Sequence, residues 1–73
     1  MSRFAMLEKA KRDALGEANR HHCPYMIVDV LGEFWVRKYD KHKLQNILER
    51  YPNAEYCGKV YPLPDLFDGE GSA

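Results

Sequence analysis

The spacing of the apolar residues along this 73-residue chain predicts two helices, with short strands between and after them. Residues 4–20 carry an apolar stripe at the helical period, and Ser2 can cap the first turn. That stripe consists of Phe4, Leu7, Ala14, Leu15 and Ala18. A second helix is predicted over residues 41–50, because Asp40 can cap its start and Pro52 ends it. Its stripe consists of Leu44, Ile47, Leu48 and Tyr51.

Three segments rich in β-branched and aromatic residues predict strands over residues 25–31, 34–39 and 55–61. The element order is therefore α-β-β-α-β, in a chain too short for more than one core, which predicts a single small α+β domain over residues 1–62. With the most apolar strand in the centre, these strands form a small three-stranded mixed sheet of order 2-1-3. We expect residues 63–73, which are acidic and contain proline and glycine, to be an irregular C-terminal tail.

Glycine at position 32 predicts a tight hairpin between the first two strands. Gly32 suits the first central position of a two-residue type II′ turn, with Glu33 as the second. This register places Val28 opposite Arg37 and Leu31 opposite Phe34.

Alternation along these strands divides their side chains between the two faces of the sheet. Asp29 lies on one face, and a lone carboxylate resists burial, so we expect both helices on the opposite face. The residues beneath them would be Met26, Val28, Val30 and Trp35. The open face would then form a partner-binding surface that consists of Ile27, Asp29, Leu31, Phe34, Val36 and Lys38. The alternative is that each helix covers one face.

The composition narrows the classes of function. Eleven basic residues balance eleven acidic ones, which argues against a strongly basic nucleic-acid binder and against an acidic DNA mimic. The N-terminal segment is charged throughout, so we expect neither a signal peptide nor a membrane span. Two cysteines allow one disulfide at most, which is few for a small secreted domain, and this favours a cytoplasmic protein with reduced thiols.

The segment RHHCP, residues 20–24, is the part of the chain that most invites a chemical role. With His42 and Cys57 it brings the number of candidate zinc ligands to five, but the usual paired spacing is missing. A nucleophilic Cys23 would need a base, an orienting group and an oxyanion hole in a cleft. We expect a helix end and a connector, with no catalytic residue, no metal and no cofactor.

Two hypotheses for function follow. The leading one is a non-enzymatic, regulatory or protein-binding module that binds another protein, or a second copy of itself, through the open sheet face. The alternative is a protein that binds single-stranded nucleic acid. The stretch RKYDKHK, residues 37–43, supports this alternative because it is the densest positive patch and has Trp35, Tyr39 and Tyr25 nearby.

The tail segment PDLFD, residues 64–68, resembles the end of the short peptides that dock on bacterial sliding clamps. The glutamine that opens that motif is missing, since Leu63 stands in its place. Two large apolar residues in an acidic tail are readily recruited to cover exposed surface, so we favour Leu66 and Phe67 folding back onto the domain. No resemblance to a known family spans the whole chain.

Overall fold

The computed structural model describes residues 2–64 and contains two helices and a three-stranded sheet. The elements are α1 (Arg3–His21), β1 (Tyr25–Val30), β2 (Glu33–Lys38), α2 (Lys41–Arg50) and β3 (Glu55–Val60). The predicted α+β class, element order and strand order 2-1-3 are confirmed. The clamp-like segment at residues 65–68 lies outside the described residues, and the division into a domain and a tail stays a prediction.

Both predicted N-caps are confirmed. The Ser2 hydroxyl accepts a hydrogen bond from the Ala5 N–H at 3.1 Å. The Asp40 carboxylate accepts from the N–H groups of His42 at 2.8 Å and Lys43 at 3.2 Å. The hydrogen bond from Lys43, together with that from His42, lowers the pKa of Asp40 below its ordinary value. The cap fixes the start of α2 at Lys41, three residues after the end of β2 at Lys38.

The central strand β1 runs antiparallel to both of its neighbours, so the prediction of a mixed sheet is wrong. The crossover through α2 leaves β2 and β3 parallel to each other, but β1 lies between them. Every adjacent pair is therefore antiparallel. The pairing of β1 with β3 is interrupted by a bulge, at which Cys57 has no partner on β1.

The hairpin between β1 and β2 turns at Leu31 and Gly32, with φ of 53° and 85°, which is a type I′ turn. The predicted turn at Gly32 and Glu33 is thus wrong, and the register shifts by two residues. The shift preserves both faces of the hairpin. Its physical advantage is that Val28 pairs with Trp35, whereas the predicted register placed Val28 opposite Arg37.

The two helices lie on opposite faces of the sheet, so the prediction of both on one face is wrong and the alternative is confirmed. On the first face α1 packs against Ile27 through the buried Ala10 and Ala14. On the second face α2 covers the fully buried side chains of Met26, Val28 and Val30. Alanines let the backbone of α1 approach the sheet closely, whereas the α2 face is filled by larger residues: Trp35, Tyr39, Leu44, Ile47 and Tyr51.

Phe4 and Trp35 are less buried than predicted. Phe4 is 64% exposed, because the stripe that faces the sheet runs through Ala10, Ala14 and Ala18. Trp35 is only half-buried and contacts the α2 cluster alone, where its ring meets the Tyr51 ring edge-on at 5.5 Å.

Candidate functional site

The six residues predicted as an open partner-binding surface do not form one. Ile27 is 1% exposed and Asp29 is 8% exposed, and both lie on the face covered by α1. Phe34 and Val36 are half-buried against the same helix. Of this set only Leu31, in the hairpin turn, and Lys38, at the end of β2, are exposed. The expectation of an open sheet face is therefore wrong.

A long-range ion pair explains why Asp29 is buried. Arg3, the first residue of α1, pairs with the Asp29 carboxylate and places its guanidinium 5.0 Å from the centre of the Phe34 ring. The carboxylate is thus neutralised at the end of the sheet rather than left unpaired. This pair holds the start of α1 over the hairpin and closes that face.

With both faces covered, the unpaired backbone of the sheet lies at its two outer strands. The strand order leaves one edge of β2 and one edge of β3 without a neighbour within the described residues. The β2 strand is regular over its six residues and contains neither glycine nor proline. The β3 strand is bulged at Cys57, and Gly58 has φ of 135°. Bulges and bends of this kind are a common way in which proteins blunt a strand edge.

The hydrogen-bond pattern identifies which groups of β2 point away from the sheet. In a two-residue turn the closing residues Val30 and Glu33 form a hydrogen-bonded pair, and such pairs alternate along the ladder. Tyr39 continues this pattern, because its N–H donates to the Pro24 carbonyl at 2.9 Å. The odd-numbered residues of β2 therefore bond to β1. The outward N–H and C=O groups, which we call the β2 edge, belong to Phe34, Val36 and Lys38.

Arg37 occupies one acceptor of the β2 edge. Its guanidinium donates to the Val36 carbonyl at 2.9 Å and lies 5.2 Å from the centre of the Trp35 ring. The Val36 carbonyl is thus turned away from β1, as the alternation requires. The Arg37 side chain therefore satisfies an acceptor that a neighbouring strand would otherwise bond.

A groove flanks β2 on each face of the sheet. On the α1 side a groove of about 280 Å³ is lined by Met6, Lys9, Ala10, Asp13, Phe34 and Val36. On the α2 side a groove of about 300 Å³ is lined by Met26, Trp35, Arg37, Lys43, Asn46 and Ile47. Side chains of an added strand alternate between the two faces and would enter both grooves. The β2 edge and these grooves form the candidate site.

The cationic stretch at residues 37–43 does not form one continuous surface. Arg37 and Lys43 line the groove on the α2 side, whereas Lys38 is on the opposite face of β2. The aromatic rings nearby are already in contact with cations: Arg37 covers Trp35, and the Lys59 ammonium lies 4.0 Å from the centre of the Tyr39 ring. Each of these two rings therefore has a cation against one face, which leaves less ring surface on which bases could stack.

The segment RHHCP is a helix end and a connector, as predicted. His22 adopts the left-handed conformation with φ of 55°, and both its N–H and that of Cys23 donate to the Ala18 carbonyl. Over residues 2–64, no three histidine, cysteine, aspartate or glutamate side chains converge as metal ligands would. At the second cysteine, desolvation raises the pKa of the Cys57 thiol, which disfavours the nucleophilic thiolate.

Comparison with known proteins adds no functional information: no protein-family model, curated protein or solved structure matches the chain. Within residues 2–64, neither helix is long and apolar enough to cross a membrane.

The β2 edge was missed by the sequence reasoning, which assigned the site to side chains on a face. The available signal was the position of β2 at one end of the predicted order 2-1-3, together with the run Phe34-Trp35-Val36, which has no glycine or proline.

Proposed function

We propose that this chain is a non-enzymatic, cytoplasmic protein-binding module whose β2 edge accepts an extended segment of a partner as an additional strand. The observation that carries the proposal is the difference between the outer strands. The β2 strand pairs regularly with β1 and carries Phe34, Trp35 and Val36 between two grooves, whereas β3 is bulged. Strand addition is a recurring mode of peptide recognition, in which the main chain supplies affinity and the alternate side chains supply specificity.

The chemistry of the β2 edge supports this mode. Phe34 and Val36 each offer an outward N–H and C=O, so a docked strand gains main-chain hydrogen bonds along a repeating pattern. Each favourable side-chain pair across the new strands contributes about 0.2–1 kcal/mol. Phe34 and Val36 on the α1 face, and Trp35 on the α2 face, are half-buried. A docked strand would bury all three further.

The nucleic-acid hypothesis has less support. The chain carries no net charge. Binding to the phosphates of a nucleic acid depends on cationic side chains that displace counterions, so here it would have to rely on a local group of cations. Arg37 and Lys43 in the groove on the α2 side are the feature that favours it.

The test uses a proline substitution that removes one outward N–H. Proline is tolerated on an edge strand where its missing N–H would face solvent. Val36→Pro should therefore fold but reject an added strand, whereas the matched control Val36→Thr keeps the N–H and the β-branched shape. The probe is a fluorescently labelled peptide with the sequence of residues 32–39, added in large excess over the protein. Binding is followed by anisotropy and by amide signals of Phe34, Val36 and Lys38 in nuclear magnetic resonance spectra.

We expect the parent and Val36→Thr to bind the peptide with protection of these three amides, and Val36→Pro to lose binding. Equal binding by all three proteins, or no binding by a folded parent, would overturn the proposal. A labelled oligothymidylate serves as the second probe. If it binds the parent, and binding is lost in Arg37→Ala with Lys43→Ala but kept in Val36→Pro, the nucleic-acid function replaces the protein-binding one.

A further inference from the structure

We infer that the strand that docks on the β2 edge is β2 of a second copy of this chain, in an antiparallel, two-fold pairing centred on Trp35. This inference rests on the proposed function and names the partner. It is carried by the self-complementarity of the sequence Glu33-Phe34-Trp35-Val36-Arg37 around its central residue.

Geometry limits the registers that two identical β2 strands can adopt. A two-fold axis that makes neighbouring strands antiparallel must stand perpendicular to the sheet, so it keeps each side chain on its own face. Odd-numbered residues therefore pair with odd-numbered residues, and even with even. The even-numbered residues carry the outward N–H and C=O groups, so they form the hydrogen-bonded pairs in any such register.

The register centred on Trp35 satisfies every pair within the strand. On the α1 side Phe34 lies opposite Val36 of the second copy, an aromatic and β-branched pair, and this pair occurs twice. On the α2 side the two Trp35 residues meet. The outermost pair joins Glu33 to Arg37 of the second copy, which places opposite charges together at both ends. A register centred on Val36 would instead place Phe34 opposite Lys38 and lose the charge pairs.

Two observations on the single chain fit this pairing. Glu33 is exposed and forms no ion pair within residues 2–64. Arg37, its predicted partner, instead caps the Val36 carbonyl of its own strand. When a second copy docks, the Phe34 N–H of that copy takes over the Val36 carbonyl, and the released guanidinium meets Glu33. The Val36 carbonyl and the Arg37 guanidinium thus each exchange a local contact for one across the interface.

The pairing also explains why association would stop at two copies. Joining two β2 strands produces one continuous sheet with the α1 helices on one face and the α2 helices on the other. Both outer strands of that sheet are then β3, which is bulged. An isologous interface uses the same patch on both copies and closes upon itself. No regular edge remains for a third copy.

A charge-reversal experiment tests the register directly. Glu33→Arg and Arg37→Glu each place like charges opposite each other in both outer pairs of their homodimer. The two residues are too far apart along one strand to contact each other, so any rescue must come from the other chain. We expect the parent to be a dimer by light scattering and sedimentation. Each single variant should remain folded by circular dichroism, with its dissociation constant raised at least ~10-fold, since like charges directly opposite destabilise a strand pair.

Mixing the two single variants should restore the dimer as a one-to-one heterodimer, because both outer pairs are then attractive. The double variant should regain the homodimer. The matched control is Lys11→Glu, which changes the net charge by the same magnitude. Lys11 is exposed and pairs with Glu8 on the side of α1 near β3, so this variant should have the same molar mass in solution as the parent dimer. Single variants that dimerise like the parent, or a mixture that fails to form the heterodimer, would overturn the inference.

The outcomes separate this inference from the proposed function. A monomeric parent that binds the peptide of residues 32–39 at the β2 edge refutes the homodimer and leaves strand addition standing. A monomeric parent that binds no peptide refutes both. A dimer whose mass is unaffected by Val36→Pro and by both charge reversals uses another surface, which refutes the inferred pairing, and peptide binding then decides the proposed function.

Discussion

The two outer strands of this sheet pair with the same central strand but present different edges. Along β2 every residue from Glu33 to Lys38 has a partner on β1, so its outward groups repeat regularly. Along β3 the residue Cys57 has no partner, and Gly58 adopts a conformation that other residues rarely tolerate. Composition separates them too, since β2 carries a run of three large apolar residues. The two edges therefore differ in backbone regularity as well as in apolar side chains.

This asymmetry bears on the proposed function. A small sheet with two regular edges would be able to add strands without limit, and long flat apolar edges are a known route to aggregation. In the proposed function, the bulged β3 edge reduces that risk and the β2 edge serves for recognition. Substitutions in β2 and in β3 should therefore have different, measurable effects.

The largest effect is expected from proline at a residue of β2 that bonds to β1. In Arg37→Pro the carbonyl of the fully buried Met26 loses its donor, and the proline ring lies against β1. An orphaned buried carbonyl costs about 1–3 kcal/mol, a large part of the stability of a domain this small. We expect Arg37→Pro to be unfolded or nearly so by circular dichroism, whereas Val36→Pro stays folded and loses only the packing of the half-buried Val36 side chain. Similar losses in both would mean that the inward and outward residues of β2 are assigned the wrong way round.

The next effect concerns the glycine of the β3 bulge. Gly58 has φ of 135°, and a Cβ added there would meet no atom within 4 Å, so an alanine is opposed by backbone strain alone. We expect Gly58→Ala to lower the free energy of unfolding by about 1–3 kcal/mol. Gly16 in α1 is the matched control, because its added Cβ also meets nothing within 4 Å. Gly16→Ala should raise stability by about 0.5–1 kcal/mol, since it lies in a helix.

Urea unfolding of the two alanine variants gives both changes with opposite signs. A neutral Gly58→Ala would show that the bulge adapts without strain, and would weaken the view that β3 is blunted by its backbone.

How much of this was predictable from the sequence depends on the range of the interactions involved. The caps at Ser2 and Asp40, the helix after Asp40 and the central position of β1 follow from local signals, and all are confirmed. The assignment of the faces failed at one residue. Asp29 was expected to lie on an open face because a lone carboxylate resists burial. Its partner Arg3 lies at the start of α1, far from Asp29 in the sequence, and the spacing of residues along the chain cannot reveal such a pair.

The candidate site shows the same limit. The predicted strand order correctly placed β2 at the edge of the sheet. The predicted hairpin register, however, paired each β1 residue with a β2 residue two positions beyond its observed partner. Glycine can occupy either central position of a two-residue turn, and in the observed turn Val28 pairs with Trp35 under α2. Which backbone groups point outward follows from that register and from nothing in the sequence alone.

A smaller effect concerns the turn that sets this register. Leu31 has φ of 53° and is 78% exposed, so it bears the strain of the left-handed conformation without burying its side chain. Left-handed geometry costs most residues about 1–2 kcal/mol, and asparagine before glycine is the preferred type I′ pair. We expect Leu31→Asn to stabilise the fold by about 0.5–1 kcal/mol in thermal melts. The control Leu31→Val, which is β-branched, should destabilise it. Stabilisation by both would point to the removal of exposed apolar surface instead.

The smallest effect separates charge from backbone geometry at the β3 edge. Lysine is a common device for guarding a strand edge, but the Lys59 ammonium lies 4.0 Å from the centre of the Tyr39 ring and 5.1 Å from that of Tyr61. A hydrogen bond with Tyr61 raises the pKa of Lys59 above its ordinary 10.5, so the folded state favours the charged form. That contribution is complete below the ordinary pKa and is lost as the pH rises through the folded value. We expect Lys59→Met to melt slightly below the parent at neutral pH, with the difference shrinking in strongly alkaline buffer.

If the bulge blunts the β3 edge, the molar mass of Lys59→Met by light scattering should equal that of the parent. Association of this variant into larger species would instead assign the protection of the β3 edge to the lysine charge.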